Sequence, residues 1–323
     1  LPRVSIIVAC RNEAAFIQQF LNSVFRQTVP CEVVIADGLS CDGTREILLK
    51  NCPAIQLIEN PRLSASSGLN LALKASSGDI IIRMDAHTEY AADYVETCLA
   101  VLTETGATNV GGPARTRSEG FWQSAIAAAF HSPFFSGGAR FHNENYEGRV
   151  DTVPYGCWRR SDLEALGGFD ETLVRNQDDE LNLRIHRTGG FVWQSPRIRS
   201  WYAPRRSLST LARQYYEYGV WKVAVMRKHG RPAQVRHLVP ALALLSFGLL
   251  AIACPVSAAA RRGMVLSVAA YSFAIVLASL GCLMKSRQVK PLPALPFIFA
   301  TVHLAYGSGW LSGLSRSRAT RNV

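Results

Sequence analysis

Along residues 4–112, short apolar runs alternate with segments of helical period. Residues 4–9, 32–37, 54–59, 79–85 and 108–111 read as strands. Between them, residues 13–27 set Phe16, Ile17, Phe20, Leu21, Val24 and Phe25 on one broad face, and residues 93–105 do the same with Val95, Leu99 and Leu102. Near-continuous apolar strands separated by amphipathic helices predict an α/β domain, with a mostly parallel sheet flanked by helices. Ligands of such sheets bind beyond the carboxyl ends of the strands.

The second half follows a different pattern. Residues 238–260, 263–284 and 292–314 contain no Lys, Arg, Asp or Glu. At about 1.5 Å per residue each stretch matches the roughly 30 Å hydrocarbon core of a bilayer, so three transmembrane helices are expected. Pro240, Pro255, Pro293 and Pro296 fall near the ends of these stretches, where a missing backbone donor costs least. Ahead of them, Leu211, Tyr215, Tyr218, Trp221 or Val220, and Val225 recur at helical spacing, with Arg213, Lys222, Arg227 and Lys228 off the stripe. That pattern predicts an amphipathic helix at the headgroup level, or else a helix that packs on the globular domain. The expected organisation is a catalytic domain at 1–204, an interfacial helix region at 205–236, a transmembrane region at 237–315 and a basic tail at 316–323.

Charge sharpens this division. Of 323 residues, 48% are hydrophobic and 18% charged, too apolar for a disordered or nucleic-acid-coating chain. Residues 1–200 hold 19 basic against 23 acidic side chains, and residues 201–323 hold 16 against one. The net +11 therefore belongs to the membrane part, and no nucleic-acid partner is expected. The positive-inside rule puts Arg227, Lys228, Arg231 and Arg236, with Lys285, Arg287 and Lys290, in the cytoplasm together with residues 1–236. Three spans then send Arg316, Arg318 and Arg321 to the far side, against the same rule. Arg261 and Arg262 lie between the first two spans. A cleaved signal peptide is not expected, since no charged-then-apolar leader precedes Val4.

The eight cysteines, Cys10, Cys31, Cys41, Cys52, Cys98, Cys157, Cys254 and Cys282, lack the two-residue separation of a zinc knuckle or redox motif, so free thiols are expected. Neither a dinucleotide-binding Gly-x-Gly-x-x-Gly nor a P-loop is present. Polar chemistry gathers at the strand ends instead: Arg11, Asn12 and Glu13 after the first strand, Asp37 and Gly38 after the second, Asp85 and His87 after the fourth. Asp85 and His87 flank one turn, which suits a divalent metal or merely a solvated turn. Asp178, Asp179 and Glu180 suit either a catalytic carboxylate or the acid-rich first turn of a helix.

Five motifs then carry a resemblance. Val4-Ser-Ile-Ile-Val-Ala-Cys-Arg-Asn-Glu13, Ile35-Ala-Asp-Gly-Leu-Ser-Cys-Asp-Gly-Thr44, Gly78-Asp-Ile-Ile-Ile-Arg-Met-Asp-Ala-His87, Leu166-Gly-Gly-Phe-Asp-Glu171 and Gln177-Asp-Asp-Glu-Leu-Asn-Leu-Arg184 resemble, in order and spacing, the family 2 inverting glycosyltransferases of GT-A fold. Within the family the chain is most similar to the membrane-bound glucosyltransferases of succinoglycan biosynthesis. The resemblance implies that Asp37 holds the uracil or ribose of a UDP-sugar, with Ala9, Arg11 and Glu13 framing the base. It implies that Asp85 and His87 bind the diphosphate and its Mn²⁺ or Mg²⁺, His87 replacing the family's second Asp. Asp178 falls on the catalytic base, with Asp179 as its neighbour, and residues 156–160 match the acceptor-side floor. The Gln-x-x-Arg-Trp sequence of processive synthases is missing.

The expected activity is transfer of a sugar, glucose by this resemblance, to a hydroxyl of a polyprenyl-diphosphate-linked oligosaccharide in bacterial exopolysaccharide biosynthesis. The enzyme would be multi-pass in the inner membrane, in contact with membrane lipids and other polysaccharide-assembly enzymes, its catalytic domain cytoplasmic. Arg159, Arg160, Arg205 and Arg206 could meet the lipid diphosphate or form a plain charge cluster. A polyprenyl-phosphate sugar transferase and a non-catalytic scaffold of polysaccharide export are the competing functions.

Overall fold

The structure is a computed structural model that describes residues 2–52, 54–230, 234–286 and 291–316. Arg231, Arg287, Lys290, Arg318 and Arg321, expected to flank the spans, lie outside the described residues. Contacts divide the chain into two units: residues 1–116 with 140–203, and residues 117–139 with 204–323.

In chain order the first unit contains β1 (Val4–Cys10), α1 (Ile17–Val24), β2 (Glu32–Asp37), α2 (Thr44–Lys50), β3 (Gln56–Glu59), α3 (Ala65–Ala75), β4 (Ile80–Met84), β5 (Thr88–Tyr90), α4 (Tyr94–Thr105), β6 (Asn109–Gly111) and β7 (Arg115–Thr116). After α5 (Gly120–Phe130) and α6 (Pro133–Ser136) of the second unit, it resumes with β8 (Gly148–Val150), β9 (Cys157–Arg159), α7 (Arg160–Ala165), α8 (Gln177–Arg187), β10 (Val192–Gln194) and β11 (Ser200–Tyr202).

Eight strands form one sheet in the order β3-β2-β1-β4-β9-β6-β10-β8. The first four are mutually parallel. Their apolar runs are unbroken because both faces are covered: Ile6 and Val8 of β1 join Phe20, Leu21, Val95 and Cys98 of α1 and α4, whereas Ile7 joins Leu69, Leu73, Leu181 and Ile185 of α3 and α8. The expected mostly parallel sheet is corrected to a mixed one. β9 runs antiparallel to both β4 and β6, and β8 antiparallel to β10. β6, β8, β9 and β10 have three residues each, too few to show a period. A smaller sheet, β5-β11-β7, completes the unit.

The second unit is helical, with α9 (Leu208–His229), α10 (Val239–Ala253), α11 (Ala258–Ser286) and α12 (Leu295–Ser315) following α5 and α6. Among the described residues two segments, Ala258–Lys285 and Leu292–Ser315, are long and apolar enough to cross a bilayer, so the expected three spans reduce to two candidates. The stretch at 238–260 breaks because Pro255 cannot donate to a carbonyl one turn back, and α10 stops after 15 residues, about 22 Å. Arg261 does not merely flank a span: it lies inside the first turn of α11 and donates to the Cys254 carbonyl at the end of α10. Along α11 the large apolar side chains Val265, Leu266, Phe273, Leu277 and Met284 are all exposed.

The buried face of α9 is Leu211, Gly219, Val220, Lys222, Val223 and Val225. This departs from the expected stripe, since Lys222 is inside and Tyr215 and Tyr218 are only half-buried. The cause is glycine. A Cβ on Gly219 would stand 2.3 Å from the Tyr306 carbonyl oxygen of α12, and one on Gly309 would stand 2.1 Å from that of Tyr216. The contacts advance along both helices in the same direction, from Tyr216 with Gly309 and Ser312, through Val223 with Gly313, to Arg227, which donates to the Leu314 and Arg316 carbonyls. Arg227 thus caps a helix end rather than standing free for lipid. All eight cysteines are free thiols, as their spacing implied.

Candidate active site

The loops after β1 and β2 are laced together. Asn12, at φ +56°, donates its backbone N–H to Ser40 Oγ at 2.9 Å and accepts from the Cys41 N–H at 3.0 Å. Glu13 and Ala14 donate theirs to Thr44 Oγ1 and Asp42 Oδ2. A left-handed Asn is tolerable when its side chain bonds locally, and this one does.

The expected donor-side residues fall on this frame with unequal access. Asp37 is wholly buried and accepts from the Ser40 N–H, from Ser40 Oγ at 2.5 Å and from Arg45 Nη1 at 3.3 Å; Arg45 also pairs with Glu59. Its carboxylate therefore shapes the loop. Ala9 packs on α3, where a Cβ on Gly68 would come within 2.8 Å of it. Arg11 is exposed and lies over Gly38, and Glu13 is half-buried. Burial, reinforced by Asp37, Glu13 and Asp42, pushes the neighbouring Cys10 thiol up to about 12, which removes it as a nucleophile.

At the end of β4 the alternation of the strand decides the geometry. Ile80, Ile82 and Met84 face α1 and α4; Ile81, and therefore Arg83 two residues on, face the side of α3 and α8. Arg83 is 4% exposed. Its Nη2 donates to Asp85 Oδ1 at 2.9 Å and its Nη1 to Asp178 Oδ1, in the first turn of α8. Burial raises the Asp85 carboxyl, but the charges of Arg83 and His87 outweigh it and hold the group below its ordinary value. Tyr90 Oη accepts from the Asp85 N–H at 2.7 Å, and Thr88 Oγ1 bonds Tyr155 Oη. Burial drives both phenols well above their usual range, so they remain neutral supports. His87 Nδ1 lies 3.2 Å from Glu13 Oε1, joining the β4 end to the β1 loop, with the Tyr202 ring edge-on to the imidazole.

Three acids open α8, but they differ in position. Glu180 is fully buried and pairs with Arg184, which also donates to the Leu166 and Gly168 carbonyls, fastening the Gly167-Gly168 turn. Asp178 and Asp179 stay partly accessible. The structure thus brings Asp85, His87, Glu13 and Asp178 to one end of the sheet, with Asp179 beside them. Among the described residues, no three His, Cys, Asp or Glu side chains form a complete metal cage.

Gly156, at φ +123°, leaves no room for a side chain, since one would strike the Trp158 ring and Asn109 Oδ1 within 2.6 Å. One expectation about the basic cluster changes. Arg159 and Arg160 are not a diphosphate clamp: Arg159 donates to the Leu102 and Ala107 carbonyls, and Arg160 to those of Leu73 and Gly78, at the opposite ends of the strands. Arg205 donates to Gln214 within the second unit. Arg83 is the residue that sequence reading missed. A lone charge inside the apolar run Ile80-Ile-Ile-Arg-Met84 was its signal, because a buried cation requires partners.

Comparisons with known proteins place the chain in a family. Residues 5–167 match the glycosyl transferase family 2 model. Over 314 residues the chain is 30% identical to the succinoglycan biosynthesis protein ExoA of Rhizobium meliloti (strain 1021), covering 94% of this chain and 93% of that one. It is 26% identical over 331 residues to the dolichyl N-acetyl-alpha-D-glucosaminyl phosphate 3-beta-D-2,3-diacetamido-2,3-dideoxy-beta-D-glucuronosyltransferase of Methanococcus voltae, covering 98% of each. The solved mannosyltransferase of Pyrobaculum calidifontis, in complex with GDP-Man and Mn²⁺, superposes with a TM-score of 0.66 at 22% identity, covering 97% of this chain and 87% of that one. That last likeness bears on the fold, a GT-A sheet flanked by helices. A match spanning half the chain, joined by a relative aligned over nearly all of it, makes this protein a member of glycosyl transferase family 2.

Proposed function

We propose that the protein is an inverting glycosyltransferase that moves glucose from UDP-glucose to a hydroxyl of a polyprenyl-diphosphate-linked oligosaccharide in succinoglycan-like exopolysaccharide biosynthesis. The observation that carries this reading is the convergence of Asp85 and Asp178 on one buried guanidinium at the carboxyl edge of the parallel strands. In family 2 such an edge receives the donor.

Asp178 is the base. It removes the proton from the acceptor hydroxyl as that oxygen attacks the anomeric carbon, and a single displacement turns an α-linked donor into a β-linked product. The laced loops of Arg11–Glu13 and Asp37–Thr44 frame the nucleoside, with Asp37 holding their shape. Asp85 and His87 would hold a divalent cation. Their donor set fits one: Asp85 Oδ2 has no hydrogen bond among the described residues, and a carboxylate with an imidazole leaves the remaining positions to diphosphate oxygens and water. An imidazole ligand favours Mn²⁺ over Mg²⁺. When bound, such an ion would neutralise charge on the leaving diphosphate. Asp179 is the reserve candidate for the base.

The acceptor class is supported by the relatives: one is a succinoglycan biosynthesis protein, and the name of another describes a dolichyl-linked sugar phosphate as acceptor and a β product. Exposed apolar residues along α11 support membrane anchoring, with the catalytic unit in the cytoplasm.

The test incubates membranes carrying the protein with radiolabelled nucleotide sugars and extracted lipid acceptors, with Mn²⁺, with Mg²⁺ or with chelator. Label should pass from UDP-glucose to a lipid-linked oligosaccharide in the presence of Mn²⁺. Label appearing on a bare polyprenyl phosphate would replace this reading with polyprenyl-phosphate sugar transfer, and no transfer from any donor would favour a scaffold.

A further inference from the structure

We infer that Arg83 is a positioning residue for the transfer reaction, its guanidinium fork fixing the separation between the base Asp178 and the donor-side carboxylate Asp85. The inference rests on Asp178 being the base.

Three observations support it. First, Arg83 joins segments 95 residues apart in sequence, the end of β4 and the first turn of α8, and among the described residues it is the sole bonded partner of the Asp178 side chain. Among the described residues no other group bonds that carboxylate. Second, one planar fork meets two different carboxylates, Nη1 on Asp178 and Nη2 on Asp85, so the rotamer of one is tied to that of the other. Third, the arrangement is poor as a device for stability. Arg83 Nε is buried with no hydrogen-bond partner among the described residues, in a strand whose other members are Ile and Met. Burying a guanidinium costs desolvation that an apolar side chain of similar length avoids. A residue kept there against that cost is explained by what it orients. Asp178 and Asp85 remain 26% and 23% exposed, so they can hydrate when the cation is removed.

The test uses the purified full-length protein in detergent, with the variants Arg83→Met, Arg83→Lys, Asp178→Asn and the double variant Arg83→Met/Asp178→Asn. Thermal unfolding, calorimetric binding of UDP with Mn²⁺, and initial rates with UDP-[¹⁴C]glucose and a lipid-extract acceptor are measured for each. Arg83→Met should unfold no earlier than wild type and bind UDP within about threefold, while kcat falls about 10–100-fold at nearly constant donor KM, as for other residues that orient a catalytic ligand. Arg83→Lys should recover only part of the loss, since an ammonium cannot hold both carboxylates in a fixed plane. The double variant should be no slower than Asp178→Asn alone, because residues that act as a unit are not additive.

Losses that multiply in the double variant, a wild-type kcat for Arg83→Met, or a loss confined to KM would overturn the inference and leave Asp178 as the base. An Asp178→Asn protein that transfers at the wild-type rate would overturn the base assignment, and this inference with it.

Discussion

The two units treat charge and apolar surface in opposite ways. In the first, the apolar strands are sealed on both faces and the charged groups that matter are partly or wholly buried with partners: Asp37 with Arg45, Arg83 with two carboxylates, Glu180 with Arg184. In the second, Val265, Leu266, Phe273 and Met284 are uncovered, while Arg227 and Arg261 cap the ends of helices. One unit holds its charge inside a packed scaffold; the other leaves apolar surface uncovered on a candidate membrane span and uses charge to close backbone ends. Substitutions should therefore separate cleanly into those that stop the reaction and those that loosen the fold.

The largest expected effect is on the first side of that contrast. Asp178→Asn should lower transfer by roughly 10²–10⁴-fold, the usual worth of a general base, with unfolding temperature and UDP binding unchanged. A matching loss of stability would blur the distinction. Next, Arg184→Met removes the guanidinium that pairs with the buried Glu180 and holds the Leu166 and Gly168 carbonyls, and should destabilise the first unit by about 3–5 kcal/mol, read by urea titration of intrinsic fluorescence.

A smaller loss belongs to the second unit. Gly309→Leu drives a side chain into the backbone of α9 and should cost about 1–3 kcal/mol, seen as earlier loss of the folded protein in detergent, while the UDP affinity of the surviving protein is kept.

The smallest effect is a pH trend. Glu32, whose carboxyl is raised by burial but lowered further by its bonds from Ser5 and Ser77, and Asp85 both have native values below their unfolded ones. A depressed carboxyl contributes stability above its unfolded pKa and loses it as the pH falls through its native one. The urea midpoint should thus be flat near neutrality and decline below about pH 5.

What could be read in advance follows from how each feature is encoded. β1, β2 and β4 were legible because a strand buried on both faces must be apolar throughout, and the edges of β3 shifted by only two residues, from position 54 to Gln56. The short strands from β6 to β11 were not, apart from β6 itself, since two or three residues carry no period. The strand-end acids could be found from their placement, with Asp178 requiring the family resemblance to separate it from a helix's acidic first turn. Arg83 was passed over because periodicity counts it as an interruption, whereas electrostatics counts it as a question about partners. The three-span expectation shortens at Pro255, where the first stretch becomes a 15-residue apolar helix: composition measures how long a stretch is apolar, not whether its backbone can stay helical.

The glycine contacts between α9 and α12 have a mechanical consequence for any bilayer the protein meets. With Gly219 and Gly309 each seated against the other helix's backbone, and Arg227 bonded to the carbonyls at the end of α12, the two helices are locked at a fixed mutual angle. In a bilayer neither can tilt alone: any reorientation of α12 carries the second half of α9 with it.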